Sequence, residues 1–294
     1  MTRSVMEKLV TILSWFMVCL LCSVFLVFVG YLLLKGLPAF DTFLVFGHVK
    51  PLEAILGQAR VFEGLFPAIV GTVYLVLLST LLAVPIGLGS GIYLAEYAPP
   101  STKKLFSFFF DILAGIPSIV IGLFGFSIAI FLHKHFSGTI GPCLAISAMS
   151  LAFLVLPYII RSTQVALESL PNHIRKTAPA LGASRLQNIV YVLIPRALSN
   201  IVSGIILSIG RCAEDTAVIM LTGVVATAGI PSSLLSQYEA LPFYIYYISS
   251  QYADQTELSN GYGACLILLG ICAVLFILAG CVKKSLAYRS LHRI

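Results

Sequence analysis

The sequence predicts an all-α, polytopic membrane protein with about six transmembrane helices. Three observations carry that expectation: an apolar composition, six long apolar stretches, and a lopsided placement of positive charge. Of the 294 residues, 59% are hydrophobic and 10% charged, and the mean hydropathy is +1.00. Ordinary soluble domains hold roughly 45–50% apolar and about 25% charged residues. Charge this sparse cannot cover a soluble globule of this size, and a bilayer as solvent removes the need for it.

A helical span needs about 20 mostly apolar residues. Segments 9–34, 66–95, 106–132, 139–160, 198–225 and 262–282 qualify. Arg3 and Lys8 precede the first, which resembles the start of a signal peptide. The run is about 26 residues long, more than the roughly 7–15 of a signal core, and it ends at Lys35 and Gly36 without a small-residue cleavage pattern. It therefore reads as a retained first transmembrane helix. The second and third spans carry many Gly and Pro residues: Pro85, Gly87, Gly89 and Gly91, then Gly115, Pro117, Gly122 and Gly125. Close helix packing explains these as well as a broken helix lining a cavity does. Residues 133–138, from His133 to Gly138, form a short turn between the third and fourth spans, and the two histidines lack a third ligand for a metal.

Charge placement gives the orientation. With both termini in the cytoplasm, thirteen of the 18 Lys and Arg residues fall on that side, and four (Lys35, Lys50, Arg60 and Lys134) fall outside. That asymmetry is the positive-inside pattern, so the net charge of +6 reflects topology and gives no reason to invoke nucleic acid. The last outer loop, 226–261, has no Lys or Arg but carries Glu239, Asp254 and Glu257. The seven cysteines all lie in or beside apolar runs and read as small apolar fillers without a disulfide framework.

The fifth span holds the residues most informative about chemistry: Arg211, Glu214, Asp215 and Thr216, within an apolar stretch from Leu198 to Val225. An ionisable side chain at a helix centre costs roughly 2.5–3.5 kcal/mol on insertion scales, so this group should face protein or water. Helical spacing places Arg211 beside Glu214 at i,i+3 and Asp215 at i,i+4. A structural ion pair is one outcome, and an oxyanion site or gate on a transport path is the other. Arg suits an oxyanion because its planar fork grips two oxygens and stays charged. A neighbouring carboxylate can accept the proton of a hydrogen phosphate in a hydrogen bond, which sulfate at neutral pH does not offer.

The basic connection 161–197 reads as helix, glycine turn, helix. Gly182 ends the first arm, and Ile189, Val192 and Leu193 give the second an apolar side. It serves either as a membrane-surface anchor or as a docking site for a cytoplasmic partner. No Gly-x-x-x-x-Gly-Lys-Ser/Thr pattern occurs, so an ATP-driven process needs a separate ATPase. Asp111, near Lys103 and Lys104, reads as a capping or snorkelling acid at the start of the third span.

These residues carry a resemblance. The permeases of ABC importers share a cytoplasmic motif E-A-A-x-x-x-G followed, nine residues on, by I-x-L-P. Here Ala178, Gly182, Val192, Ile194 and Pro195 match it, with Ala183 directly after the glycine, while Lys176 and Thr177 replace the usual Glu and Ala. Further segments are similar to the A-type (PstA-like) permeases of phosphate importers: Gly91–Tyr97, Leu113–Val120 with Gly115, Pro117 and Ser118 as its helix-breaking centre, Arg211-x-x-Glu214-x-Thr216, and Ala240–Tyr246. Ala213 and Asp215 depart from the third pattern.

The resemblance covers about 60–285 and implies a type I ABC importer permease (MetI-like) fold. It implies a first helix and outer loop at 1–60, a transport core at 61–285 with the coupling loop 161–197, and a cytoplasmic tail at 286–294. It also implies residence in a bacterial inner membrane, a homologous permease partner, a cytoplasmic ATPase dimer that binds ATP, and a periplasmic phosphate-binding protein. A sulfate or molybdate permease remains the nearest alternative. A carrier working without an ATPase would not need the coupling loop, and no residue set supports an embedded enzyme.

Overall fold

The computed structural model describes residues 2–55, 64–136 and 140–291. Arg60, Ser137, Gly138 and Arg293 lie outside the described residues. The element order is α1 (Thr2–Gly36), short α2 (Thr42–Phe46) and α3 (Pro51–Ile55), α4 (Phe66–Ile92), α5 (Pro100–Ala114), α6 (Ser118–His135), α7 (Leu144–Glu168), α8 (Asn172–Ala180), α9 (Arg185–Asn188), α10 (Ile194–Glu214), α11 (Ala217–Thr222), α12 (Leu241–Gln251) and α13 (Gln255–Leu291). Among the described residues six helical stretches are long and apolar enough to cross a membrane: Met6–Ala39, Phe66–Tyr97, Ser118–His135, Leu144–Glu168, Arg185–Glu214 and Gln255–Ser285.

Proline marks where the helices start. Pro67, Pro100, Pro195 and Pro242 sit at the first or second position of α4, α5, α10 and α12. There the missing N–H costs nothing and the fixed φ suits the helix.

Two spans differ from the sequence reading. The third, expected at 106–132, is broken at Gly115–Pro117. Its first half belongs to α5, whose phenylalanines made the segment look like membrane, and α6 is the part that is long and apolar enough to cross. Asp111 thus lies inside α5 and does not start a span. Lys103 pairs with Glu168 at 2.7 Å, Arg161 donates to Ser107 at 3.1 Å, and Asp111 stands 4.0 Å from Arg161. The polar edge of α5 is therefore held on the end of α7 while Leu105, Phe108 and Phe109 are exposed.

The fifth span, expected at 198–225, instead runs from Arg185 to Glu214 and stops at Asp215 and Thr216. A separate short α11 carries the apolar residues beyond. The helix of the fourth span runs on to Glu168 and that of the sixth to Leu291, so most of the expected tail at 286–294 is helical.

The centre of the core is α7. Its Leu151, Val155 and Ile159 are fully buried, packed with Leu75 and Val76 of α4, Cys212 and Ala213 of α10, and Val218 and Ile219 of α11. Helices approach closely through glycine, as membrane bundles do without a hydrophobic drive between helices. A Cβ on Gly87 would come 2.5 Å from Ile159, and one on Gly125 2.1 Å from the Ser150 hydroxyl. The helix α1 stands at the periphery beside α13, where the Tyr31 and Tyr262 hydroxyls meet at 3.2 Å.

At the opposite end of α4 from its Tyr97 terminus, the segment after α11 folds back over the helix. Leu241 N–H donates to Thr72 Oγ1 at 2.9 Å, and a Cβ on Gly71 would lie 2.0 Å from the Glu239 carbonyl oxygen. Gly71→Ala therefore forces this loop off α4. Despite the better helix propensity of Ala, it should cost about 1–2 kcal/mol. Gly270→Ala, with nothing within 4 Å of the added carbon, should be neutral or slightly stabilising. Thermal unfolding of the two variants in one detergent checks the contrast.

Candidate functional site

The two broken spans meet at one place. The α5–α6 break is made by Gly115, whose N–H donates to Ile112 O at 3.0 Å, and by Pro117, after which Ser118 begins α6. Tyr158, on α7, donates its hydroxyl to the carbonyl of Ala114, the last residue of α5, at 3.0 Å. Its ring carries the Arg211 guanidinium, whose central carbon lies 4.6 Å from the ring centroid. Tyr158 thus ties the first helix break to the arginine that precedes the second. Such a contact contributes roughly 0.5–2 kcal/mol, depending on how dry it is.

The expected pair of Arg211 with a carboxylate on its own helix does not form. Among the described residues Arg211 has no ion pair within 4.0 Å. Arg211 lies in the last turn of α10, the helix ends at Glu214, and Asp215 is extended. The helical spacing that would bring Asp215 beside Arg211 therefore fails. Asp215 instead accepts the Val218 N–H at 2.9 Å and caps the start of α11, and Thr216 is the residue between the two helices.

Arg211 and Glu214 open into a cleft of about 160 Å³ lined by Tyr158, Leu207, Ser208, Gly210 and Phe276. That exceeds what one water needs. Gly210 lets the Phe276 ring pack directly on the backbone of α10 at one wall of the cleft, because a Cβ there would come 2.6 Å from that ring. Stacking uses the face of the guanidinium and leaves its in-plane N–H groups, the edge that binds an oxyanion, directed elsewhere.

The matched residues of the coupling motif form a second cluster. Ala178 lies in α8, and Gly182 turns the chain with φ +86°, where residues with a Cβ are strained. Ala183 follows, donating to Ala178 O at 3.1 Å. A capping box at Ser184 and Gln187 starts α9. One widened turn, Ile189–Leu193, then leads into α10 at Ile194 and Pro195. The second arm of the hairpin is thus the end of the fifth span itself. Leu181 is 85% exposed at the tip, while Ile189 and Leu193 are buried against Leu167.

The side of the hairpin that faces the span is held by contacts that the local sequence does not reveal. The end of α4 continues as a widened turn, Tyr93–Tyr97. In it Glu96 pairs with Arg175 of α8 at 2.6 Å, and Arg185 donates to the Glu96 carbonyl and stacks on Tyr97 at 4.7 Å. Glu96 was visible only as part of Gly91–Tyr97, and nothing local links it to a residue 79 positions away.

In the loop beyond α11, Glu239 Oε1 accepts the N–H groups of Ala228 and Gly229 at 2.9 and 2.7 Å. Burial raises its pKa above the usual carboxylate value, and the two amides partly offset that.

Comparison with known proteins came from three directions. The model of the family described as "binding-protein-dependent transport system inner membrane component" matches residues 87–288. The phosphate transport system permease protein PstA of Haemophilus influenzae is 33% identical over 83% of each chain. A probable ABC transporter permease of Bacillus subtilis, YqgI, is 26% identical over 99% of each. Among solved structures, an inward-facing MetNI methionine ABC transporter matches with TM-score 0.58 at 18% identity, covering 81% of this chain and 99% of that one. The type I importer (MetI-like) architecture is therefore the fold.

Two measurements check the site. Tyr158→Phe keeps the ring under Arg211 and loses the bond to Ala114, so it should cost about 1 kcal/mol. Tyr158→Leu loses both and should cost roughly twice that; thermal unfolding in detergent ranks the two. For Glu239 the raised folded-state pKa means stability that is present below the ordinary carboxylate pKa and declines as pH rises through the folded value. Glu239→Gln keeps the acceptor oxygen and should remove that decline. Melting temperatures of both proteins across the acidic range test it.

Proposed function

The chain belongs to the family of binding-protein-dependent transport system inner membrane components, and on that premise we propose that it is the transmembrane permease subunit of an ATP-driven importer of inorganic phosphate. The observation that carries the site is Arg211: a permanent cation at the end of a broken span, without an ion pair within 4.0 Å among the described residues and opening into a cleft. The named phosphate permeases supply the substrate class.

In this reading both termini are cytoplasmic. The chain pairs with a homologous permease, and the hairpin containing Ala178, Gly182 and Ala183 docks on a cytoplasmic ATPase dimer. An external binding protein delivers phosphate at the side of the loop that holds Glu239. ATP-driven closure of the ATPases moves the hairpin and turns the cleft from one side of the membrane to the other. Arg211 offers two in-plane donors to the phosphate oxygens as the anion passes. Glu214 sits one turn along the same cleft, where it can accept a hydrogen bond from the P–OH of a hydrogen phosphate and repels an anion that has none to give. The Gly115–Ser118 break and the Asp215–Thr216 break keep irregular backbone beside this cavity, the one place in a bilayer where it is tolerated.

The test is uptake of labelled phosphate at micromolar concentration in cells lacking the chain. Wild type should restore uptake, unaffected by excess sulfate or molybdate. Arg211→Ala should assemble with its partners but lower uptake by at least about 30-fold, as loss of a hydrogen-bonded charge on a desolvated partner does. Normal uptake by an assembled Arg211→Ala would remove the arginine from the path. Competition by sulfate or molybdate would reassign the anion.

A further inference from the structure

We propose that the Glu96–Arg175 ion pair is the link through which movement of the hairpin is passed to α4, and along α4 to the outer loop. The proposal rests on the importer reading above, and it assigns a positioning role to two residues which that reading leaves unused.

The pair is built into the structure from both sides. Its side chains are only 10% and 21% exposed, and the N–O distance is 2.6 Å. Arg175 also donates through Nε to Leu170 O at 3.3 Å and through its other terminal nitrogen to Leu167 O, at the end of α7. Its own carbonyl accepts from Asn188, on the second arm, at 2.9 Å. One guanidinium thus gathers α7, α8 and the widened turn that ends α4, and α9 holds the same arginine through its backbone. Arg185 adds a second grip on that turn, through the Glu96 carbonyl and the Tyr97 ring. The outer surface of the hairpin stays free: Leu181, Lys176 and Thr177 are exposed. The hairpin therefore presents one side to a partner and bolts the other to α4.

Apolar contacts alone would not transmit direction. Ile92 and Ala95 pack on the same cluster as Leu167 and Leu193, but such contacts slide. Farther along, α4 meets α7 through Gly87 and Gly91, against Ile159 and Thr163. This small-residue face suits the short sliding movements of packed helices. At its far end α4 is tied to the outer loop through Thr72 and Gly71. A partly buried ion pair resists separation because parting it strands a charge away from water. It is the fixed point at the hairpin end of an otherwise smooth rod.

The experiment uses the complete transporter (both permeases, ATPase and binding protein) in proteoliposomes, and reads phosphate moved per ATP hydrolysed. Glu96→Gln and Arg175→Gln should each lower that ratio about tenfold while hydrolysis continues. The charge-reversed double variant Glu96→Arg, Arg175→Glu should recover most of it. Single variants with the wild-type ratio overturn the proposal, as does hydrolysis and transport falling together with the ratio unchanged.

A second measurement works within one protein. In a chain cleared of native cysteines, Glu96→Cys with Arg175→Cys should be uncoupled as free thiols. A short thiol crosslinker joining the two should raise the ratio by at least about fivefold, and no change on crosslinking overturns the link. Wild-type complexes that hydrolyse ATP and move no phosphate would overturn the importer reading itself, a result distinct from failure of the variants alone.

Discussion

A guanidinium that cannot face lipid organises the middle of this protein. Arg211 lies in a helix whose flanks are apolar, and an exposed charge at that depth costs several kcal/mol. It is held over the Tyr158 ring. The same tyrosine is held in turn by the Ala114 carbonyl, at the point where α5 gives way to α6. Two interruptions of the bundle, far apart in sequence, are thereby fixed to one side chain of the central helix α7. The cleft beside Arg211 is walled by Phe276, whose ring packs on Gly210.

The irregular backbone that results is satisfied locally. Asp215 leaves the helix and caps the N–H of Val218, so the acid that looked like a partner for Arg211 serves the start of α11. Gly223, with φ +155° and its Cα against the Cys143 backbone, turns the chain at the end of α11. Cys143 N–H then donates to Thr222 O at 2.9 Å. Each break is thus closed by hydrogen bonds to a neighbouring segment, as a bilayer requires. The cavity beside Arg211 is left lined by a guanidinium that makes no ion pair within 4.0 Å among the described residues.

The number of spans was legible because length and hydropathy decide it, and so was the glycine turn at Gly182, because only φ > 0 closes that hairpin. The ends of the third and fifth spans were not. Phe106, Phe108, Phe109 and Phe110 read as membrane although α5 ends at Ala114, and the residues Ala217–Val225 stay apolar across a break set by tertiary contacts. The charged group at 211–216 was visible as unusual. Its geometry was not, since helical spacing favoured Glu214 and Asp215 while the true neighbour, Tyr158, comes from 53 residues earlier. Glu96 and Arg175 were out of reach for the same reason: each looks ordinary within its own segment, and only the packing of α4 beside the hairpin joins them.

The central claim is that Arg211 faces water within the membrane and not lipid. The direct measurement is thiol labelling of the assembled transporter, in a chain cleared of native cysteines, with a small anionic reagent that does not cross bilayers. Leu207→Cys, beside Arg211 on the wall of the cleft, should react, and phosphate should slow the reaction. Ile277→Cys, on the exposed apolar face of α13, should stay unlabelled. Labelling of Ile277→Cys with Leu207→Cys inert would place the arginine away from any aqueous path and contradict the account.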